Sequence, residues 1–251
     1  TNNDSAYESA LCLHNKGIKV EAIIDIREKS NSKIVKAIED VGIKIYWSHT
    51  VVDTSGYKRL KNISVMKLSN DGMSVTGNRI EISCDCLGVS GGWTPAVHLF
   101  TQSGGKLSFD EENKVFLPSK YPSEQISVGS CNGDFKINQI IKNLSKNLKD
   151  FLKIEQTDFD NISVDIDDEK SKRNIWLLPS DKPIGKTKPF VDYQNDATAK
   201  DIKLALREGF RSIEHVKRYT TTGMGTDQGK LGNMHALGII SETAGTKMGE
   251  L

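Results

Sequence analysis

The sequence predicts an α/β protein in which a doubly wound sheet precedes a small helical domain. Helical and strand-like segments alternate at short spacing over the first fifty residues, which is typical of a doubly wound parallel sheet. Two further strand patterns flank a turn-forming sequence and predict an antiparallel hairpin attached to that sheet. Three short helical patterns follow residue 197.

The first four elements follow from apolar spacing and from the residues that end each helix. Gly17 and Gly42 suit helix C-termini, and Ser32 suits an N-cap. An uninterrupted apolar run that ends near Asp25 indicates a buried parallel strand. These signals predict helices over residues 5–16 and 33–41, and strands over 19–26 and 43–49.

The middle of the chain changes pattern. Residues 60–69 and 78–90 alternate like strands on either side of a turn. Residues 104–125 are polar, contain two prolines and predict irregular structure. Residues 126–135 predict a strand and a glycine-rich turn before a helix that continues through Leu144.

The last third begins with a charge-dense stretch over residues 145–185, which indicates a boundary or an irregular excursion. Thr198 suits the N-cap of the next helix, whose inward side chains we expect to include Ile202, Leu204 and Ala205. Two more helices are predicted over residues 212–219 and 229–242, joined by a loop rich in threonine and glycine.

Composition excludes several classes of protein. The 251 residues carry 34 basic and 33 acidic side chains, so the basic surplus of a typical nucleic-acid-binding protein is missing. No run approaches the roughly 18 apolar residues of a membrane span. Four cysteines in so long a chain form no disulfide framework, which favours a soluble protein of the reducing cytoplasm. The chain starts at Thr1 without an initiating Met, and we expect an internal fragment.

Asp25 is the first candidate contact to a nucleotide. An acidic residue at such a strand end accepts hydrogen bonds from a ribose in many dinucleotide-binding folds, although it can equally cap its own loop beside Arg27. No G-x-G-x-x-G turn precedes the first helix, and Asp4 would compete with a phosphate for the helix amides. We therefore favour a structural role for this half.

Two glycine-containing segments are candidate cofactor contacts. The first could present backbone N–H groups to an anion, or it could be a simple connection between strand and helix. The second could bind an anion or a flavin phosphate through hydroxyls and amides, or it could be an Ω-type loop. The candidate residues are Gly129, Ser130, Cys131, Asn132 and Gly133 in the first, and Thr221, Thr222 and Gly223 in the second.

No metal site or catalytic pair is predicted. Cys84 and Cys86 lie in a predicted strand without a second close pair, so core packing is favoured over zinc. The five histidines are scattered without ligand spacing. None of the ionisable side chains forms a convincing acid–base constellation, and no catalytic residue is named.

Several segments resemble the α subunit of heterotetrameric sarcosine oxidase. The similarity extends over nearly the whole chain and is weakest across residues 145–185. The segments that carry it are TNNDSAY (1–7), IIDIR (23–27), VSGGWTPAVHLF (89–100), GSCNG (129–133) and FVDYQNDATAKDIKLALREGFRSIEHVKRYTTTGMGTDQGK (190–230).

The resemblance implies a Rossmann-like fold of the pyridine nucleotide–disulfide oxidoreductase type, followed by a small helical domain. The implied domains are a second dinucleotide-binding-like domain lacking its first strand (1–103), a return segment of the first FAD/NAD-binding-like domain (104–147), an irregular linker (148–186) and the helical tail (187–251). The family's intact glycine-rich turn would lie upstream of Thr1. What would remain here of the NAD site is the turn from Gly129 to Gly133.

The resemblance also implies an activity, cofactors and partners. The family oxidises sarcosine to glycine, forms hydrogen peroxide and passes formaldehyde to tetrahydrofolate in a downstream domain. NAD binds the α subunit, FMN lies near the interface with the β subunit, and FAD belongs to the β subunit. The expected partners are the β subunit and smaller subunits of a heterotetramer, with neither nucleic acid nor membrane. A related secondary-amine or opine-type dehydrogenase subunit and a non-catalytic scaffold subunit are the alternatives.

The tail resembles in its spacing a second kind of domain, the small [2Fe–2S] domain of bacterioferritin-associated ferredoxin type. That pattern has four cysteines, and the matching positions here are Asp192, Gln194, Asp227 and Gly232. An iron–sulfur cluster needs thiolate ligands, which none of these residues supplies. We therefore predict a tail domain of this type without a cluster.

Overall fold

A computed structural model describes residues 1–122, 124–159, 161–162 and 173–251. These residues form two compact units of mixed α and β structure. Of the described residues, one unit contains 1–90 and 173–251, and the other contains those from 91 to 162. The predicted irregular linker, 148–186, lies partly outside the described residues.

The N-terminal elements confirm the predicted order of helix, strand, helix and strand. The two strands are parallel, and Ile23 pairs with Ile45. Tyr7, Val35 and Ile38 form the buried core between the helices and the strands. Val41, the last residue of the second predicted helix, is exposed. The elements are α1 (Ser5–Asn15), β1 (Ala22–Asp25), α2 (Lys33–Asp40) and β2 (Lys44–Trp47).

A three-stranded antiparallel sheet follows in the order β3-β4-β5. The predicted hairpin between β4 and β5 is confirmed, and Val65 pairs with both Val51 and Ile80. Its predicted attachment to the parallel sheet is wrong, because β1 and β2 form a sheet of their own. The sheet has one strand more than expected, because the polar sequence of β3 hides its strand character. The strands are β3 (His49–Gly56), β4 (Leu60–Leu68) and β5 (Val75–Ser83).

The cysteine pair does not pack in the core. The strand β5 ends at Ser83, one residue before the pair begins. Cys86 is exposed and Cys84 is half-buried. The expectation that both thiols are core side chains was wrong, because the alternating pattern extends beyond the last residue that pairs with β4.

The unit that starts at Gly91 contains a second hairpin where irregular structure was predicted. Phe109 pairs with Phe116 across it, and Pro118 is tolerated because the sheet has only two strands, both of them edges. Residues 126–128 form no strand, contrary to expectation. The elements are α3 (His98–Gln102), β6 (Lys106–Asp110), β7 (Val115–Lys120), a 3-10 helix (Gly129–Asn132) and α4 (Ile137–Leu152).

The helical tail confirms the three predicted helices. Thr198 and Asp201 form a capping box at the start of the first. Ile202 and Ala205 are fully buried, but Leu206 rather than Leu204 completes the inward face. The elements are β8 (Phe190–Asp192), β9 (Ala197–Thr198), α5 (Ala199–Arg207), α6 (Ile213–Thr220) and α7 (Asn233–Ala244).

The residues just before the tail tie it to the N-terminal half of the same unit. The guanidinium of Arg173 donates to the backbone carbonyls of Ile26, Ser69 and Asn70 at 2.8 to 3.1 Å. Trp176 packs edge-on against His235 of α7, with ring centroids 6.1 Å apart. Among the helices of the described residues, none combines the length and apolar character needed to cross a membrane.

Candidate functional sites

A buried ion pair lies at the end of β1. The sequence left two roles open for Asp25 at this position, a contact with a nucleotide ribose and a cap on its own loop. Asp25 has no exposed surface and Arg27 only 1%. The guanidinium donates to both carboxylate oxygens at 2.8 to 3.1 Å, and the backbone N–H of Arg27 donates to Oδ1 at 2.8 Å. The Tyr7 hydroxyl donates to Oδ2 at 2.7 Å. Asp25 thus caps its own loop and presents no surface to a ligand.

The same cluster extends to the N-terminus of α1. Arg27 Nη2 also donates to Asp4 at 2.8 Å. The side-chain oxygen of Asn3 accepts the backbone N–H of Ser5, the first residue of α1, at 3.2 Å. The helix end that would face a pyrophosphate is therefore next to an ion-paired carboxylate of the protein itself, which agrees with a structural role for this half.

Burial and charge shift the pKa values of this cluster. Burial raises the pKa of Tyr7 well above its usual range, and the adjacent carboxylate of Asp25 adds to the shift. Burial alone would lower the pKa of Arg27, but its hydrogen bonds and charge interactions with Asp25 and Asp4 outweigh this and raise it. Both side chains therefore keep their protons throughout the physiological range.

The first glycine-containing segment folds as a single 3-10 turn. Gly129 and Gly133 both adopt φ of +82°, where a Cβ would be strained. The thiol of Cys131 donates to the carbonyl of Val128 at 3.1 Å, whereas the side chain of Ser130 is exposed. Asn132 is half-buried. The two glycines therefore adopt the backbone conformation expected of a glycine-rich turn, although the predicted strand before them is missing. A contact between this turn and a ligand stays a prediction.

The second segment, at the end of α6, already uses several of its polar groups. Thr222 is 3% exposed, and its hydroxyl pairs with that of Thr220 at 2.8 Å. The backbone N–H of Gly223 donates to Asp192 at 2.7 Å. Thr221 is exposed, but its hydroxyl donates to the carbonyl of Thr220 at 2.6 Å. A cofactor contact by this segment also stays a prediction.

Asp192, which matches a cysteine of the [2Fe–2S] pattern, is the centre of a network of hydrogen bonds. Asp192 accepts the N–H groups of Gln194, Asn195 and Gly223 at 2.7 to 3.0 Å. These bonds lower the pKa of Asp192 despite the opposing effect of burial. Each contact joins backbone amides to a side chain that stands where the related pattern has a cysteine.

Gln194 and Asp227 extend this network. The side-chain oxygen of Gln194 accepts the N–H of Thr226 at 2.6 Å. The carboxylate of Asp227 accepts the N–H groups of Gly229 and Leu231 at 3.2 and 3.4 Å. At the fourth position, Gly232, a Cβ would collide with the carbonyl of Val191. The network holds the two loops, residues 190–196 and 221–232, against each other.

Side-chain clusters suited to a metal ion are not found in the described ranges. No group of three or more His, Cys, Asp or Glu side chains there could hold a metal ion. His235 is largely enclosed by its neighbours, and burial lowers its pKa. The candidate contacts in the described ranges are therefore two polar networks and two glycine-containing turns.

Comparison with a solved structure defines the fold. The chain matches the crystal structure of L-proline dehydrogenase from P. horikoshii with a TM-score of 0.58, over 95% of this chain and 48% of that one. The sequences are 18% identical in this match, so it shows the fold alone. The chain thus shares its mixed α/β fold with about half of that structure.

Sequence comparisons are more specific. Residues 186–251 match the family model described as the sarcosine oxidase A3 domain. The sarcosine oxidase subunit alpha of Rhizobium meliloti (strain 1021) is 31% identical over 262 residues, covering 100% of this chain and 24% of that protein. The subunit alpha of Corynebacterium sp. (strain P-1) is 31% identical over 256 residues, covering 98% and 26%. The chain is a relative of these α subunits, which confirms the predicted resemblance, and it spans about a quarter of their length.

Proposed function

We propose that this chain is part of the α subunit of a sarcosine oxidase-type flavoenzyme. The observation that carries the proposal is the match to the α subunits over the full length of this chain. The match to the A3 domain model over residues 186–251 supports it independently of the N-terminal half. The complete enzyme would demethylate sarcosine oxidatively to glycine, form hydrogen peroxide and pass formaldehyde to tetrahydrofolate in another domain.

In this proposal the described residues bind and position rather than catalyse. The amine is oxidised at FAD in a partner β subunit, and FMN lies at the interface between the subunits. This chain contributes to NAD binding and to that interface, in a heterotetramer of the cytoplasm. The buried pair of Asp25 and Arg27 supports a structural role for the end of β1, because Asp25 presents no surface to a ribose.

The 3-10 turn from Gly129 to Gly133 is the proposed remnant of the NAD site. Its two positive-φ glycines allow a close approach of a ligand to the backbone. Ser130, beside the first glycine, is exposed and can donate or accept a hydrogen bond. Thr221, Thr222 and Gly223 are the proposed residues nearest to a flavin phosphate, with the exposed Thr221 as the first point of contact.

The function is tested on the full-length α subunit expressed together with its partner subunits. Oxygen uptake and peroxide formation are measured with sarcosine, with L-proline and with other N-methyl amino acids, and bound flavin is followed by absorbance. Rapid uptake with sarcosine supports the proposal. Oxidation of a different amine with a dye but not with oxygen would indicate a dehydrogenase instead. A stable complex without flavin or turnover would indicate a scaffold.

NAD binding has its own test. Equilibrium dialysis of the same complex should show a saturable NAD site that Ser130→Leu weakens by about tenfold, since the variant loses a hydrogen-bonding group worth about 1.4 kcal/mol and crowds the turn. Ser9→Leu, at another exposed serine, is the matched control and should bind normally. Unchanged binding by Ser130→Leu would remove the 3-10 turn from the NAD site.

A further inference from the structure

Cys84 and Cys86 form a pair of thiols that the proposed function leaves unused. The chain has four cysteines, all with free thiols, and these two are the nearest to each other in the sequence. Cys12 is the only cysteine of α1, and the thiol of Cys131 already donates to the carbonyl of Val128. A reaction that needs two neighbouring thiols is therefore best met by Cys84 and Cys86.

The backbone holds the two residues within reach of a disulfide. The N–H of Cys84 donates to the carbonyl of Lys61 at 3.0 Å, which extends the pairing of β5 with β4 by one residue. The chain then bends at Asp85, and Cys86 begins an irregular stretch. Residues two apart are separated by at most roughly 7 Å between their Cα atoms, and a bend shortens that distance. Disulfides form at Cα separations of about 4.4–6.8 Å, so the two thiols can join without a large movement of the backbone.

The two thiols have different surroundings, which suits them to different roles. Cys86 is exposed, whereas Cys84 is half-buried. Burial raises the pKa of Cys84, and the nearby groups of Asp85, Cys86 and Glu21 raise it further. A dissolved oxidant therefore meets Cys86 first, and Cys84 stays a protonated thiol two residues away from the product that forms there.

We propose that Cys84 and Cys86 are a reversible redox site, which hydrogen peroxide converts to an intramolecular disulfide. The deprotonated sulfur of Cys86 attacks one oxygen of the peroxide and becomes a sulfenic acid, while the O–O bond breaks and hydroxide leaves and takes up a proton to form water. The sulfur of Cys84 then attacks the sulfur of the sulfenic acid, the S–S bond forms, and a second water leaves. Two thiols and one peroxide thus become one disulfide and two waters.

This disulfide is also one that thiol reductants reverse readily. A bond between residues two apart closes too short a loop to stabilise the fold much, because the stabilisation grows with loop length. Exposed disulfides are in addition reduced more easily than buried structural ones. The site needs only a peroxide, so it goes beyond the proposed function and does not depend on it. That function would supply the peroxide within the same enzyme.

Peptide mass spectrometry of the full-length α subunit, expressed together with its partner subunits, tests the proposal. After treatment with hydrogen peroxide, free thiols are alkylated and the protein is cut with trypsin, which leaves both cysteines on the single peptide 80–106 between the cleavage sites at Arg79 and Lys106. We expect this peptide to be lighter by two hydrogen atoms and unalkylated. Dithiothreitol added before alkylation should restore both alkylation sites. An unchanged dithiol peptide under conditions that oxidise the exposed Cys12 would overturn the proposal.

Serine variants separate the roles of the two thiols. In Cys84→Ser the sulfenic acid at Cys86 has no thiol to react with, so dimedone should label Cys86 several-fold more than in the wild type. In Cys86→Ser the half-buried thiol that remains should react with peroxide about tenfold more slowly than Cys86 does. Cys12→Ser, at another exposed cysteine, is the matched control and should leave disulfide formation unchanged. Equal reactivity of the first two variants, or a bond from Cys86 to a cysteine outside the peptide, would contradict the proposal. A preparation that forms the disulfide with added peroxide but does not oxidise sarcosine contradicts the proposed function alone.

Discussion

Removal of Asp25 tests whether the buried cluster at the end of β1 stabilises the fold. In Asp25→Ala the guanidinium of Arg27 stays buried and keeps its hydrogen bond to Asp4 at 2.8 Å. The hydroxyl of Tyr7 and the backbone N–H of Arg27 lose the oxygens to which they donate at 2.7 and 2.8 Å. The variant therefore leaves buried donors without acceptors as well as a charge without its main partner.

The expected loss of unfolding free energy is about 4 kcal/mol, within the ~3–5 kcal/mol typical for breaking a buried ion pair. Each orphaned donor would add about 1–3 kcal/mol by itself, but hydration of Asp4 and water entering the vacated space offset part of this. Replacing the whole cluster by apolar side chains should be far less harmful. We expect Tyr7→Phe/Asp25→Leu/Arg27→Met to be more stable than Asp25→Ala by roughly 2 kcal/mol or more.

Urea titration followed by tryptophan fluorescence measures both variants. Trp47 is a suitable probe because its ring stacks on Tyr7 at 5.9 Å. Glu28→Ala, at an exposed carboxylate one residue beyond Arg27, is the control and should change stability by less than about 0.5 kcal/mol. The reasoning is refuted if Asp25→Ala costs less than about 1 kcal/mol, or if the triple variant is no more stable than it.

Three further predictions concern the tail. Asp192→Ala should lower the free energy of unfolding by about 2 kcal/mol, because three amides lose an acceptor. Since the pKa of Asp192 is lowered in the folded state, this contribution is present above about pH 4 and is lost as the pH falls through the folded pKa. Equal acid sensitivity of the variant and the wild type would contradict the prediction. Gly238→Ala should cost about 1–3 kcal/mol, because its Cβ meets the Trp176 ring, whereas Gly88→Ala meets open space and should change the urea midpoint little. Burial lowers the pKa of His235, so on acidification the unfolded chain binds a proton at this histidine before the folded chain does, and stability should fall from pH 7 to pH 5. His235→Gln should reduce this dependence of stability on pH. An unchanged dependence would exclude the histidine as its source.

Local sequence signals predicted most of the elements because their physical causes are local. The helix α5 begins where Thr198 and Asp201 can satisfy each other's backbone amides, a motif visible in four consecutive residues. The hairpin β6–β7 was missed for a similarly local reason. Pro118 suggested irregular structure, but a two-stranded hairpin needs only one hydrogen-bonding edge of each strand, so the proline is accommodated opposite Leu107.

The polar networks could be predicted only in part, because they join residues distant in the sequence. Asp25 and Arg27 are two residues apart, and a cap by Asp25 on its own loop was one of the two expectations, whereas the ion pair itself was not predicted. The contribution of Tyr7 depends on how α1 packs on β1, which no local pattern specifies. In the tail the spacing of Asp192 and Gln194 was recognised, but not that their side-chain oxygens would hold the loop around Gly223.

The two networks point to the same physical role. Buried ion pairs such as Asp25 with Arg27 seldom stabilise a protein more than well-packed apolar side chains would, so stability alone does not explain them. What a directional network provides is geometry, since each acceptor fixes particular donors. At β1 the network closes the position where a ribose would lie, and in the tail the carboxylate of Asp192 takes up amides beside Met224. In both places the chain uses its own polar groups to hold loops in one conformation.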